Sequence, residues 1–217
     1  AALLRSDHIE EIARTIAKYQ PDVVMVNEAH RRTWQARFRD HVEQLRTATG
    51  MNAVFGESYQ QLGGQFGNLI LTRGNVVTHD LYRLPGTGEP RTLLEAKIDI
   101  GGGTVMFYAT HLAAWEKFNR AARGRQLQCI TRHLGSSPHP FVLGGDLNAP
   151  PDAPEVVAFR RSESMQMAGP AAPTHRVMEL PIDYVFADRG WRVASSRVLD
   201  DGPSDHRPVL VELVHVR

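Results

Sequence analysis

Phe141 to Asn148 read FVLGGDLN, and how this octet is taken decides the fold. Phe-Val-Leu is a short continuous apolar run, the signature of a strand covered on both faces. Two glycines then let the backbone run close to its neighbours, and Asp146 and Asn148 arrive two apart at the strand's end. The next residues break the strand and open a short helix, PEVVAFRR, with Pro at its first turn. A surface Asx turn is the plain alternative for Asp146 and Asn148. Working outward, DVVMV from Asp22 has the same build and ends in Asn27-Glu28. FGNLILTR, VVTHDLYRL, RTLLEAKIDI and TVMFYATHL read as successive strands separated by Gly and Pro turns. IDYVFAD, WRVASSRVL and RPVLVELVHV make the end of the chain strand-rich.

Helical periodicity is sparser. Asp7 to Tyr19 places Ile9, Ile12, Ala13 and Ile16 on one face, with Asp7 and Glu10 spaced as a capping pair and Pro21 as a stop. Trp34 to Ala48 predicts a second helix, and Trp115 to Leu134 a third. Few helices and many strands without repeat or linker predict stacked sheets with helices outside, in a single domain over residues 1–217. A chain of 217 residues is near the upper size for one hydrophobic core.

Composition narrows the chemistry. Formal net charge is +1, so bulk electrostatics favour no polyanionic partner. Local clustering says more: Trp115 to His133 carries five Lys or Arg against one Glu, a solvated helix face first and a phosphate-attracting surface second. The single cysteine, Cys129, excludes an internal disulfide and a thiolate zinc site, and its helical setting predicts a buried small hydrophobe. Neither a leader nor a long apolar span is visible. The sequence starts at AALLR without Met, so the compartment stays open, with a soluble cytoplasmic protein slightly favoured.

The informative signal is where polar residues fall. Asn27-Glu28, Thr110-His111, Gly145 to Asn148, Ile182-Asp183 and Ser204 to His206 all sit where an apolar strand ends, the place where rigid scaffolds present chemistry. Singly, Glu28 reads equally as a turn cap and His111 as a hydrogen-bonded core histidine. Together, Glu28, Asp146, Asn148 and Asp205 offer hard oxygen donors suited to Mg²⁺ or Mn²⁺. Carboxylates able to orient imidazoles accompany them, Asp183 for His206 and an acid such as Glu28 for His111. Metal, carboxylate and imidazole suit attack of water on phosphorus.

In this order PDVVMVNE, FGNLILTR, EPRTLLEAKI, ATHL, GGDLNAPP, PIDYVFA and SDHRPVL resemble the endonuclease/exonuclease/phosphatase superfamily, which includes DNase I, abasic-site endonucleases, neutral sphingomyelinases and inositol polyphosphate 5-phosphatases. The resemblance implies a DNase I-like four-layer α/β/β/α sandwich of two packed mixed sheets. It implies that Glu28 and Asp205 bind the metal, that Asp146 orients or deprotonates the attacking water, and that Asn148 holds it or the phosphate. His206, backed by Asp183, contacts the scissile phosphate and His111 assists. Arg91 pairs with Glu28 or the substrate, while Asn68 is a substrate contact or a strand-end hydrogen bond. Thr174 sits where the family often has a Thr before an aromatic, and His175 stands in place of that aromatic. The family's usual first strand, ending in Asn, is not found before the first helix. The domain is therefore expected to be N-terminally incomplete relative to the family, with self-association through an unpaired sheet edge one way to complete it. The implied activity is metal-dependent phosphodiester hydrolysis, nucleic acid first and DNA foremost. A phospholipid, sphingomyelin or small phosphoester hydrolase is the alternative, as is a catalytically weak binding module. Ser204 beside Asp205 and His206 lacks the GxSxG elbow of a serine hydrolase.

Overall fold

The computed structural model describes residues 6–114, 119–170 and 172–216. Along the chain run α1 (Ser6–Tyr19), β1 (Val23–Arg31), α2 (His41–Thr49), β2 (Asn52–Gln61), β3 (Gly64–Thr72), β4 (Asn75–Arg83), β5 (Thr92–Asp99) and β6 (Thr104–His111). They are followed by α3 (Arg120–Gly135), β7 (Phe141–Asp146), α4 (Pro154–Arg160), β8 (Met165–Met167), β9 (Asp183–Asp188), β10 (Trp191–Val198) and β11 (Val209–His215). One sheet has six strands in the order β4-β5-β6-β7-β9-β8. The facing layer is built from a three-stranded piece, β1-β3-β2, and a two-stranded piece, β10-β11.

Three apolar cores make this stack four layers deep. Ile9, Ile16, Val42 and Leu45 of α1 and α2 pack on Leu69 and Leu71 of β3. Ile70, Leu94, Val105, Phe107 and Val142 fill the space between the sheets, with Met25, Val211 and Leu213 against them. Leu127, Ile130, Val156 and Phe159 of α3 and α4 cover the outer face of the six-stranded sheet through Leu93, Tyr108 and Phe186. Burying each such side chain is worth about 1.5–3 kcal/mol. The outcome is the DNase I-like α/β/β/α sandwich, with Cys129 partly buried against the last of these cores.

Topology positions the site. β6 and β7 are parallel, so a crossover is needed between them, and α3 lies in that crossover. Both strands therefore finish at the same edge, where antiparallel β9 begins beside β7. In register, His111 lies beside Asp146 and Asp146 beside Asp183. Three polar residues stand in one row across three strands.

Some elements differ from expectation. The second helix starts at His41, not Trp34, because Asp40 caps it by accepting from the Glu43 N–H at 3.1 Å. Arg32, Arg37 and Phe38 just before it hold positive φ of 58°, 51° and 60°, which no helix tolerates. Strand β2 is additional: its buried inward face is Val54, Gly56 and Ser58, too polar and too small to give an apolar alternation. The short β8 is additional too. The expected third helix is described from Arg120, its first residues lying outside the described set. The side chain expected to cap α1, Asp7, also lies outside it, as do residues 1–5, so the expectation of a missing first strand falls outside the described residues. Among the described residues β1 and β11 are each paired on one side only, and the facing layer's ladders are all antiparallel rather than mixed. No helix among the described residues is long and apolar enough to cross a membrane.

Candidate active site

β1 breaks its pairing with β3 between Val26 and Ala29, a bulge that frees Asn27 and Glu28 from the ladder. Glu28 takes φ of 56°, an unusual conformation for a non-glycine residue. Asn27 turns across the gap between the sheets. Its amide donates to Asn68 Oδ1 at 2.8 Å and to the Thr110 carbonyl at 2.9 Å, and its Oδ1 accepts the Asp146 N–H at 3.0 Å. One side chain thus ties β1, β3, β6 and β7 together at the strand ends.

The glycines of the opening octet make the approach possible. A Cβ on Gly145, whose φ is 151°, would sit 1.9 Å from the Thr110 carbonyl oxygen, and one on Gly144 would sit 2.5 Å from Met25 Sδ. The close packing places Asp146 at the end of β7, only 6% exposed. Its Oδ1 accepts the Asn148 N–H at 2.7 Å, while Asn148, at φ 51°, donates its amide to the Leu112 carbonyl at 3.1 Å. The Asx turn and the active-site position are therefore the same feature. His111 Nε2 lies 3.6 Å from Asp146 Oδ2. On the other flank, His206 Nδ1 meets Asp183 Oδ2 at 2.7 Å. Thr174 steadies Asp183: its hydroxyl oxygen accepts the N–H groups of Ile182 and Asp183, both at 3.1 Å.

Burial and neighbours set the charges. Burial, then the charge of Asp183, pushes the Asp146 carboxyl up to about 8, against the pull of His206. Burial alone would lower His206, but the hydrogen bond and charge of Asp183, with Asp146 and Asp205 behind it, hold it up at about 9. His111 is driven well below the ordinary range by burial and then by Arg91 and His206, and is neutral. Glu28 is raised by burial, with Arg91 pulling it down and Asp205 pushing it up. Asp146 and Glu28 are therefore harder to ionise than free carboxyls, for want of enough nearby positive charge.

That deficit fits the hard divalent cation implied by the family resemblance. Among the described residues, Asp146, Asp183 and His206 bring ligand atoms within 4.8 Å of one another, as do His175, Asp205 and His206. Glu28 joins neither group, so the expected Glu28–Asp205 pair is brought together only to the extent that Glu28 feels the charge of Asp205. The histidines are poor ligands here. His175 Nδ1 accepts the N–H groups of Val177 and Met178 at 3.2 and 3.1 Å, which places its proton on Nε2. His206 is engaged by Asp183. Oxygen donors remain, the chemistry of Mg²⁺ or Mn²⁺.

Two expected substrate contacts are placed differently. Asn68 is 1% exposed, accepts from Asn27 and donates to the Thr92 carbonyl at 3.3 Å, so it is the strand-end hydrogen bond of the two alternatives. Arg91 pairs with Glu89 at 2.9 Å rather than with Glu28, and its buried Nε has no protein partner. The charge of Arg91 is felt by both Glu28 and His111. Ser204 Oγ accepts the His206 N–H at 3.1 Å and approaches no imidazole nitrogen as a nucleophile would. Sequence reasoning gave no role to Asn27, although its amide beside Glu28 at a strand end was in view.

The family described as Endonuclease/Exonuclease/phosphatase family matches residues 1–206. Among solved structures, an endonuclease/exonuclease/phosphatase from Beutenbergia cavernae superposes with a TM-score of 0.81 at 23% identity, covering 95% of this chain and 66% of that one. The chain thus spans just under two thirds of that relative's length. A mannosyl-6-phosphatase of Bacteroides thetaiotaomicron gives 0.80 at 18% identity, covering 96% and 91%. The human Nocturnin catalytic domain gives 0.77 at 19%, covering 97% and 87%. No curated protein matches the chain by sequence.

Proposed function

The chain belongs to the endonuclease/exonuclease/phosphatase family, and from that premise we propose that it is a divalent-metal-dependent phosphodiester hydrolase with nucleic acid, DNA foremost, as its first substrate class. The observation that carries this reading is the row His111, Asp146, Asp183 with His206 held on its flank. Asp146 is the base. A carboxyl poised near 8 accepts a proton at working pH far better than one near its ordinary value of 3.8. Water's oxygen attacks phosphorus, its proton passes to Asp146, and the ester oxygen leaves and is protonated from solvent. His206, cationic through Asp183, donates its free N–H to a phosphoryl oxygen as charge develops there. Neutral His111, 3.6 Å from Asp146, is placed to steady the attacking water, and Arg91 adds positive charge to the site. Glu28 and Asp205 would hold Mg²⁺ or Mn²⁺. When bound, the cation neutralises carboxylate charge and polarises the phosphoryl group.

The basic cluster of α3 supports nucleic acid less than its sequence implied. Arg123 is buried against Glu155 at 3.0 Å, and Arg120 reaches the same carboxylate at 3.4 Å. The exposed Arg125 and the exposed arginines after β1, Arg32, Arg37 and Arg39, remain as support. Hydrolysis of bis-nitrophenyl phosphate with Mg²⁺ or Mn²⁺ tests the chemistry, and plasmid DNA, single-stranded DNA, RNA, abasic DNA and choline phospholipid test the substrate. Turnover abolished by Asp146→Ala and His206→Ala is expected. Equal rates in wild type and both variants would leave the binding-module reading in place.

A further inference from the structure

Past Glu28 the chain does something unusual for a surface loop. In RRTWQARFR, Arg31 to Arg39, the small residues turn inward and the large aromatics outward. Thr33 and Ala36 are 0% and 3% exposed, whereas Trp34 and Phe38 are 63% and 62%. Leu62, in the turn joining β2 to β3, is 67% exposed and accepts the Trp34 N–H through its carbonyl at 3.2 Å. A Cβ on the neighbouring Gly63 would lie 3.6 Å from the Phe38 ring. Two aromatic faces and a leucine therefore meet on one raised edge.

The loop is held rigidly. Phe38 N–H donates to the Thr33 carbonyl at 2.9 Å, Arg37 N–H to Trp34 at 2.8 Å and Arg32 N–H to Arg39 at 2.9 Å. Thr33 Oγ1 meets His30 Nδ1 at 2.8 Å and accepts the Ala36 N–H at 3.2 Å. Three left-handed non-glycine residues cost about 1 kcal/mol or more each, offset here by this bonding. Charge distinguishes the surface further. Arg31 is neutralised by Asp40 at 3.1 Å. Arg32, Arg37 and Arg39 are exposed and make no ion pair among the described residues.

We propose that this knob is a binding platform for single-stranded nucleic acid, with bases stacking on Trp34 and Phe38 and phosphates meeting Arg32, Arg37 and Arg39. Aromatic faces interleaved with unpaired guanidiniums match a polymer that alternates flat bases and phosphates. Paired bases in a duplex would not offer their faces, so an unpaired strand is the occupant. Trp34 is six residues from Glu28, at most about 20 Å even fully extended, a span within one strand's reach of the catalytic row. This inference rests on the hydrolase reading for its biological sense, since it names how the polymer is held beside the site.

The test is fluorescence anisotropy of a labelled single-stranded 12-mer with EDTA present, so that binding is read without cleavage. The double variant Trp34→Ala/Phe38→Ala is expected to weaken binding by about 10-fold or more. The triple variant Arg32→Ala/Arg37→Ala/Arg39→Ala is expected to weaken binding and flatten its salt dependence by about two units of slope. Hydrolysis of bis-nitrophenyl phosphate, too small to span the distance, stays at the wild-type rate in both. Equal oligonucleotide binding by wild type and the aromatic variant overturns the proposal. So does loss of binding to anionic phospholipid vesicles with oligonucleotide binding unchanged, which would assign the knob to a membrane surface. Absence of hydrolysis by wild type with knob-dependent oligonucleotide binding intact would overturn the hydrolase reading and leave the platform standing.

Discussion

The proposed catalytic row and the arginine–aromatic knob solve opposite problems with the same device. At both places non-glycine residues take positive φ: Glu28 and Asn148 at the row, Arg32, Arg37 and Phe38 at the knob. At the row the strained backbone turns acids and amides into an interior where Asp146 is 6% exposed. At the knob it turns aromatics out to more than half exposure. Each region inverts the usual rule of burial, and each is fixed by hydrogen bonds from elements on more than one side. The difference lies in what the inversion costs. The row depends on the whole sandwich staying closed, whereas the knob is supported locally and should be separable from it.

The comparison is broken most sharply at Asp146. Asp146→Asn is expected to lower kcat on bis-nitrophenyl phosphate by about 10²–10⁴-fold, since the base is lost and the shape kept. Its stability should move the other way. The folded carboxyl, at about 8, lies above its ordinary 3.8, so its neutral form contributes stability that is lost as pH rises through about 8. The variant cannot ionise. In the metal-free protein its Tm relative to wild type should therefore climb from about pH 4 to about pH 8 and level off above, and a constant difference would contradict the assigned environment.

Asp183→Asn comes next. His206 is held at about 9 chiefly by Asp183, and activity should fall as it deprotonates. Removing the Asp183 charge takes away the main support of the His206 proton, so the falling limb should shift toward lower pH, measured as a kcat profile. An unmoved limb would remove His206 from the mechanism.

Asn27→Ala should cost about 3 kcal/mol by denaturant unfolding, because it strands the Asp146 N–H and the Asn68 carbonyl in the interior. The smallest effect belongs to the knob. Trp34→Ala and Phe38→Ala should each change stability by less than about 0.5 kcal/mol, as expected for side chains that pack on little. A larger loss would mean the knob is part of the core after all.

Strand ends were the legible part of this molecule. Apolar runs closed by Glu28, His111 and Asp146, and others opened by Asp183 and the Asp205-His206 pair, gave both the layers and the position of the candidate site, because burial on two faces leaves a run of residues that only one structure uses. What stayed hidden depended on distances between elements. Asn27 matters because β1 lies over β6 and β7, and no local pattern reports that. Arg91 has an acid two residues earlier, Glu89, that outcompeted Glu28 as its partner. Strand β2 escaped because Gly56 and Ser58 line its inner face, where Leu81 and Leu94 lie too close to Gly56 to admit a larger side chain. Trp34 to Arg39 looked helical because periodicity cannot register a left-handed residue, and two of them, Arg37 and Phe38, turned the start of an expected helix into the knob.

The Asn27 bridge has a consequence for motion. Its Oδ1 receives the amide proton of Asp146, so that proton can meet solvent only when the two sheets part at this edge. Hydrogen exchange at this single amide would then serve as a gauge of sandwich opening, slow to the limit set by global unfolding. The catalytic base and the seam of the fold would keep the same clock.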